Sequence, residues 1–475
     1  MNNKTLLIYP ASLNNGGWIK ADRNYQLPLL VLYSFLKQNG IDVDVLELDQ
    51  EIGYPHRAKD REIFPQRAKN SLSQFSFDIV GISCYTSVCY LSSVMIAKIC
   101  KEINKDCKVV VGGYHPTVVP EDFMTGDGLF DYIVKGEGEI ALLEICQGLY
   151  HCNGDSPKII EGTPRPLNQG VLLDWQDYKY TKQGATRPLG LSLTRGCPFR
   201  CSFCLESTLA FKPREYPIDL ALRDIKRAVE MMNPYFIKLE DPLFPLYSDW
   251  GQELLKALVK EKFQIPIDFM TRIDLLKEEH LDVLNGLTSN VFFGIETCSE
   301  KMLTIMQKTN DTKAYLRKVE ENLRLINDRK ISSSLSLIFN HPGDNDVILS
   351  ETINFFERVY SKVDSISNYF ILQAYVHLPG TVVSQKLEYF EETFGTVIKY
   401  KTWWKDHGNQ LLMARDVISS RDASFQFLTD CQLKWEHFLE TVVNPKVDSD
   451  AWLLKSWINS HHENERKYDA YAFSA

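Results

Sequence analysis

The sequence predicts an α/β protein: a doubly wound parallel sheet, then a partial (β/α)6 barrel, then a small helical C-terminal region. Three observations carry this. Short apolar strands alternate with helical stretches across residues 1–150 and again across 189–385. Between them, 151–188 is rich in Gly, Pro, Asn, Asp and Gln and lacks periodicity, which marks a linker. From 386 to 475 the pattern changes: five of the eight tryptophans (Trp403, Trp404, Trp435, Trp452 and Trp457) gather there, with helical spacing from Ser424 to Val442.

In the first stretch, Leu6–Tyr9 is a buried strand and Leu27–Gln38 a helix stopped by Gly40. Ile41–Leu46, Phe77–Ser83, Lys108–Gly113 and Tyr132–Lys135 are four more strands. Helices follow at about Tyr90–Asn104 and after Glu139. This is a Rossmann-like order, and ligands of such sheets bind at the carboxyl ends of the strands. The candidate loops are Pro10–Gly17, Ser83–Ser87, Gly112–Pro120 and Gly136–Glu139. No G-x-G-x-x-G follows the first strand, so a nicotinamide cofactor has no support.

In the second stretch, strands are expected at Leu189–Leu193, Tyr235–Leu239, Ile267–Met270, Asn290–Ile295, Ser333–Phe339 and Ser367–Tyr375. Each ends in polar or glycine residues, where barrels of this type place their chemistry. The first strand runs into Arg195-Gly196-Cys197-Pro198-Phe199-Arg200-Cys201-Ser202-Phe203-Cys204, a C-x3-C-x2-C run with no fourth cysteine close by. A zinc site wants four ligands, usually in pairs. Three thiolates in one loop suit an iron–sulfur cubane with one iron left for another ligand. Zinc or core cysteines are the alternative reading.

Bulk properties bound the function. The 475 residues are 44% hydrophobic and 24% charged, ordinary for a globular chain of two or three domains. A net charge of −9 offers no basic field for nucleic acid. No apolar run approaches the roughly 18 residues of a membrane span. Met1–Thr5 leads directly into a strand, which reads as no signal peptide. Eleven scattered cysteines fit a reducing cytoplasm rather than a disulfide framework.

The cysteine run, with its Arg-Gly flank and the aromatic Phe203 before the last cysteine, resembles the radical S-adenosylmethionine (AdoMet) enzymes. The resemblance implies that Cys197, Cys201 and Cys204 hold a [4Fe–4S] cluster whose open iron takes AdoMet, with Phe203 near the adenine. It also implies AdoMet contacts from Asp241 near the amino group and ribose, Arg272 at the carboxylate, Gly294 and Glu296 of the G-x-E segment, and the turn Pro342-Gly343. Val80–Ser83, Gly112–Thr117 and Lys135–Glu139 look like the cobalamin-binding domain that precedes the barrel in one class of these enzymes. Ser83, Gly112, Gly113, His115, Thr117, Gly136, Glu137 and Gly138 are then the expected cobalamin residues. The D-x-H-x-x-G motif of cobalamin mutases is absent, since Gly113 and Val118 flank His115. His115 is therefore read as ordering its loop, and cobalt is expected without a histidine ligand.

The function implied is radical C-methylation of an unactivated carbon in a small molecule or peptide, through a 5′-deoxyadenosyl radical and methylcobalamin. A flavodoxin or ferredoxin would be the electron donor. Radical cyclisation or rearrangement without methyl transfer is the alternative. A non-catalytic cobalamin or iron–sulfur sensor is the alternative of another class. The C-terminal aromatics are expected to be mainly core, with a helical cap at the barrel mouth, and His461-His462 is weak evidence for metal.

Overall fold

The computed structural model describes residues 3–13, 25–53, 55, 58–151, 156–181, 188–209, 212–409, 413–414, 416–424 and 426–446. Residues 14–17 of the first candidate loop lie outside the described residues, as do Trp452, Trp457 and His461-His462.

The N-terminal sheet is all parallel, in the order β2-β1-β3-β4-β5-β6. Its strands are β1 (Thr5–Tyr9), β2 (Val43–Glu47), β3 (Ile79–Ser83), β4 (Lys108–Gly112), β5 (Tyr132–Lys135) and β6 (Lys158–Glu161). The order reverses at β1, as a doubly wound sheet requires. Covering helices are α1 (Leu27–Gln38), α2 (Ala58–Leu72), α3 (Tyr90–Ile103) and α4 (Glu139–Cys146). Strand β1 is buried throughout and β4 at Val109–Val111, as expected for parallel strands covered on both faces.

Two elements were not evident from the sequence. Helix α2 buries only Phe64, Ala68 and Leu72, an i, i+4, i+8 stripe in an otherwise charged segment with Pro65 inside it. Strand β6 lies within the expected linker and buries Ile160 alone, so it shows no alternation. It exists because β5 has an open edge to pair with, from Tyr132–Lys158 through Lys135–Glu161.

The second sheet is also parallel, in the order β12-β11-β10-β9-β8-β7. Here β7 is Leu189–Leu191, β8 Ile237–Leu239, β9 Ile267–Thr271, β10 Val291–Glu296, β11 Ser333–Phe339 and β12 Asn368–Ala374. The helices between them are α5 (Ile218–Met232), α6 (Asp249–Glu261), α7 (Glu278–Leu287), α8 (Glu300–Ile305), α9 (Thr312–Asp328) and α10 (Asp346–Tyr360). Sequential strand order with helices on one side is a barrel wall left open between its first and last strands.

The C-terminal region is not purely helical. It includes an antiparallel pair, Val397–Ile398 with Val417–Ile418, beside helices such as α11 (Phe427–Phe438). Trp435 on α11 packs among Phe339, Phe356 and Phe370 of the barrel. The helix is thus core packing on the barrel rather than a cap over its mouth. Trp403 and Trp404 are also buried.

Candidate active site

The cysteine loop begins where β7 ends. Thr194 and Arg195 pair antiparallel with Glu215 and Arg214, and this fixes its stem. Asp241, 1% exposed at the end of β8, holds the turn from behind. Its Oδ1 accepts from the Leu193 amide (2.8 Å), the Thr194 amide (2.7 Å) and Ser192 Oγ (3.1 Å). Burial nonetheless pushes its carboxyl up to about 6. Further along, Ser202 donates its amide to Met306 O (2.8 Å) and its hydroxyl to Ile305 O (3.1 Å). Ser207 Oγ lies 2.8 Å from Cys201 O and 2.6 Å from Cys204 O.

This scaffold presents Cys197, Cys201 and Cys204 as half-buried free thiols. Burial, reinforced by the neighbouring cysteines, pushes the Cys204 thiol up to about 12 and raises that of Cys197. Among the described residues no three His, Cys, Asp or Glu side chains converge as a single metal ion needs. The three thiols lie within each other's field. Three cysteines on one loop suit a cluster that keeps one iron open better than a four-ligand zinc site.

Beside the loop stands a buried ion pair. Glu296, at the end of β10, adopts φ +70° and turns its Oε1 to Lys308 Nζ at 3.0 Å. Both side chains are under 10% exposed. A Cβ on Gly294 would stand 2.6 Å from that Oε1, so the glycine makes room for the carboxylate. The Lys308 carbonyl accepts from Arg272 Nη1 (2.8 Å). Arg272 also makes a two-pronged contact with Asp274, 3.0 Å at each oxygen, and lies 4.0 Å over the ring of Phe199 in the cysteine loop. The turn Ile305–Lys308 therefore joins the loop, Glu296 and Arg272. Lys308 was not singled out in the sequence; its partner is 12 residues away and nothing in the pattern marks it.

Phe203 is half-buried, edge-on to His341 at 6.3 Å. His341 is fully buried, and desolvation pushes its imidazole down to about 4, so it is neutral at pH 7. The Pro342-Gly343 turn follows it, its Gly343 amide donating to Ser419 O (2.7 Å). The turn at Gly380 packs against Val118 of the N-terminal domain.

A cavity of about 530 Å³ lies between the two sheets. From the N-terminal domain it is lined by Ser83, Gly112, Gly113, Thr117, Gly136, Glu137 and Gly138. From the barrel come Ser192, Arg195, Gly196 and Glu206, the flanks of the cysteine loop. Gly113 has φ +116°, and a Cβ there would lie 2.6 Å from Cys84 O. Thr117 Oγ1 links the two glycine loops, donating to Gly113 O (2.6 Å) and accepting from the Gly136 amide (2.9 Å). Inward, the cavity becomes an apolar slot between Leu7, Gly81 and Val110 of the sheet and Leu29, Leu32 and Leu142 of the helices. This combination of glycine-lined mouth and apolar slot fits a large corrin with an aromatic tail.

His115 is a correction to the expected cobalamin set. Its ring turns away from the cavity to Ser87 Oγ (2.9 Å) and Asp122 Oδ2 (3.2 Å). No histidine is among the described residues that line the cavity. Glu137 does line it, although its carboxylate is held by Arg214 and the Arg165 amide. Two more contacts bridge the domains: Arg195 Nη2 to Glu139 Oε1 (3.2 Å), and the Tyr114 hydroxyl to Glu206.

The B12 binding domain family matches residues 22–146, and the Radical SAM superfamily matches 191–356. The chain thus carries a B12 binding domain followed by a radical SAM domain, the arrangement of cobalamin-dependent radical AdoMet enzymes. Cobalamin and AdoMet are the ligands for which these two domain families are named.

The chain is 30% identical to an uncharacterized methyltransferase of Pyrococcus horikoshii, over 50% of the chain and 55% of that protein. It is 24% identical to the anaerobic magnesium-protoporphyrin IX monomethyl ester cyclase of Rubrivivax gelatinosus, over 74% and 64%. Identity to the hopanoid C-3 methylase of Methylococcus capsulatus is 24%, over 67% and 64%. The chain thus spans about half to two thirds of these relatives' length. In fold it is similar to the methyltransferase TsrM of Kitasatospora setae with cobalamin and cluster bound: TM-score 0.68, 16% identity, 94% and 93% of the two chains. It is also similar to OxsB with aqua-cobalamin and AdoMet bound: TM-score 0.65, 18% identity, 97% and 71%. No described helix is long and apolar enough to cross a membrane.

Proposed function

We propose that this enzyme methylates an unactivated carbon of a small molecule or peptide. The observation that carries the reading is the single cavity walled by both the glycine loops and the flanks of the cysteine loop. A methyl donor and a carbon radical must meet without water between them, and one chamber shared by the two domains serves both. When bound, the cofactors supply one-electron cleavage of AdoMet, hydrogen abstraction from carbon, and a methyl group for the carbon so opened.

The chain's own residues do the positioning. Cys197, Cys201 and Cys204 would hold the cluster, on a loop pinned by Asp241 and the Ile305–Lys308 turn. Glu296, Gly294, Phe203 and Pro342-Gly343 would border AdoMet, with Arg272 bracing the loop through Phe199. Ser83, Gly112, Gly113, Thr117, Gly136 and Gly138 would seat the corrin, and Arg195 and Tyr114 tie that seat to the loop. A flavodoxin- or ferredoxin-type donor would supply the electron in a cytoplasmic setting.

A second reading, radical cyclisation, is favoured by the likeness to the Rubrivivax cyclase. One experiment separates them without knowledge of the substrate. Protein reconstituted anaerobically with iron, sulfide and hydroxocobalamin is reduced and given AdoMet with a deuterated methyl group. Transfer of that label to protein-bound cobalamin supports methylation. Retained cobalamin that takes no label, in protein that still cleaves AdoMet, moves the assignment to cyclisation.

A further inference from the structure

Barrel interiors are normally filled by apolar side chains in layers. Strand β8 departs from this. Ile237 and Leu239 are buried, while Lys238 and Glu240 between and after them are exposed and line the interdomain cavity. Both charges therefore leave the strand on the same face, about 7 Å apart along it.

The other charged groups on this wall have partners: Arg195 with Glu139, Glu137 with Arg214, and Glu206 with Tyr114. Lys238 and Glu240 form no side-chain hydrogen bond or ion pair with a described residue. The nearby carboxylate of Asp268 is already used, by the Ser289 amide (2.8 Å), Ser289 Oγ (2.7 Å) and the Asn290 amide (3.0 Å). The neighbouring strand accommodates the glutamate: a Cβ on Gly190 would lie 3.2 Å from the Glu240 carboxyl. Lys238 feels the Asp268 carboxylate and Glu240 the Tyr25 hydroxyl only through space. A cation and an anion side by side in a chamber, neither hydrogen-bonded nor ion-paired to a described residue, match a ligand that carries the opposite pair.

We propose that Lys238 and Glu240 are the head-group subsite of the substrate, and that the substrate is zwitterionic: a free amino acid or a small molecule that keeps both amino-acid charges. Its carboxylate meets the Lys238 ammonium, and its ammonium meets the Glu240 carboxylate. This rests on reading the cavity as the reaction chamber. It does not require the reaction to be methylation.

The test is equilibrium binding to reconstituted holoenzyme, read as a saturable change in the visible absorption of bound hydroxocobalamin. The probes are the common L-amino acids and, for any that bind, the decarboxylated amine, the deaminated acid and the N-acetyl amide. At least one free amino acid is expected to bind and its N-acetyl amide to fail, which separates a free zwitterion from a residue inside a peptide. Lys238→Met is expected to weaken the amino acid by about tenfold or more and leave the amine unchanged. Glu240→Gln is expected to do the converse with the acid, and Lys238→Arg to recover most of the affinity. Absence of a saturable response to every amino acid overturns the proposal. So does loss of cobalamin itself in either variant, which would assign the pair to the corrin amides. Label transfer to cobalamin is scored separately, so failure of either reading is recognised without the other.

Discussion

Asp241 and Glu296 are buried carboxylates with different work. Asp241 satisfies two backbone N–H groups of the turn into the cysteine loop. Asp241→Ala leaves both without an acceptor, at a cost of about 1–3 kcal/mol for each buried group. The expected result is a lower thermal midpoint and less iron after reconstitution, with Asp241→Asn retaining more of both. Glu296 has Lys308 as a counter-charge. Lys308→Met strands a buried carboxylate and is expected to cost about 3–5 kcal/mol in denaturant unfolding, and Lys308→Arg much less. Glu47 gives a pH signature. Its Oε1 accepts from the Gln26 amide (2.8 Å) and Tyr178 Oη (2.6 Å), yet burial pushes it up to about 8. The native state then keeps a proton that the unfolded chain releases near pH 4.5. Its contribution is full below that pH, declines by up to about 1.4 kcal/mol per pH unit as pH rises, and is lost above pH 8. Glu47→Gln keeps the acceptor and is expected to flatten the pH dependence of thermal unfolding in that window. Of these residues, the cysteines were legible because three thiols in ten residues have few other uses. Asp241 and Glu296 were legible as strand ends, but not what they touch. Lys308 was invisible, since its role depends on a turn that brings it back to β10.

At the scale of elements, strand positions were legible to within a few residues, because parallel strands covered on both faces read as continuous apolar runs. Helix α2 and strand β6 were not, since each buries so little that tertiary pairing decides it. The glycine loops were legible as loops, and their geometry makes one prediction. Gly113→Ala forces a Cβ against Cys84 O in a backbone conformation that alanine resists. The variant is expected to lose most of its cobalamin while keeping its cluster iron, because the cysteine loop is anchored elsewhere. Equal loss of both would mean that the two domains fold as one unit.

Across the whole molecule, the cysteine loop is gripped at both ends by the loops that line the interdomain cavity, through Arg195–Glu139 and Tyr114–Glu206. Coupling of this kind is reciprocal. Cobalamin loading is expected to tighten AdoMet binding by about fivefold or more in calorimetric titration, and Tyr114→Phe to reduce that gain. A third bridge comes from the C-terminal region. Asp122 accepts from Trp404 Nε1 (2.6 Å) and pairs with Lys405 Nζ (2.5 Å), on the carboxylate that also meets His115. Although burial opposes ionisation, these partners hold the Asp122 carboxyl below its ordinary value. The sheet that lines the interdomain cavity is therefore tied to chain segments on either side of the barrel strands. The walls of that cavity are in this way a joint property of both domains and of the C-terminal segment.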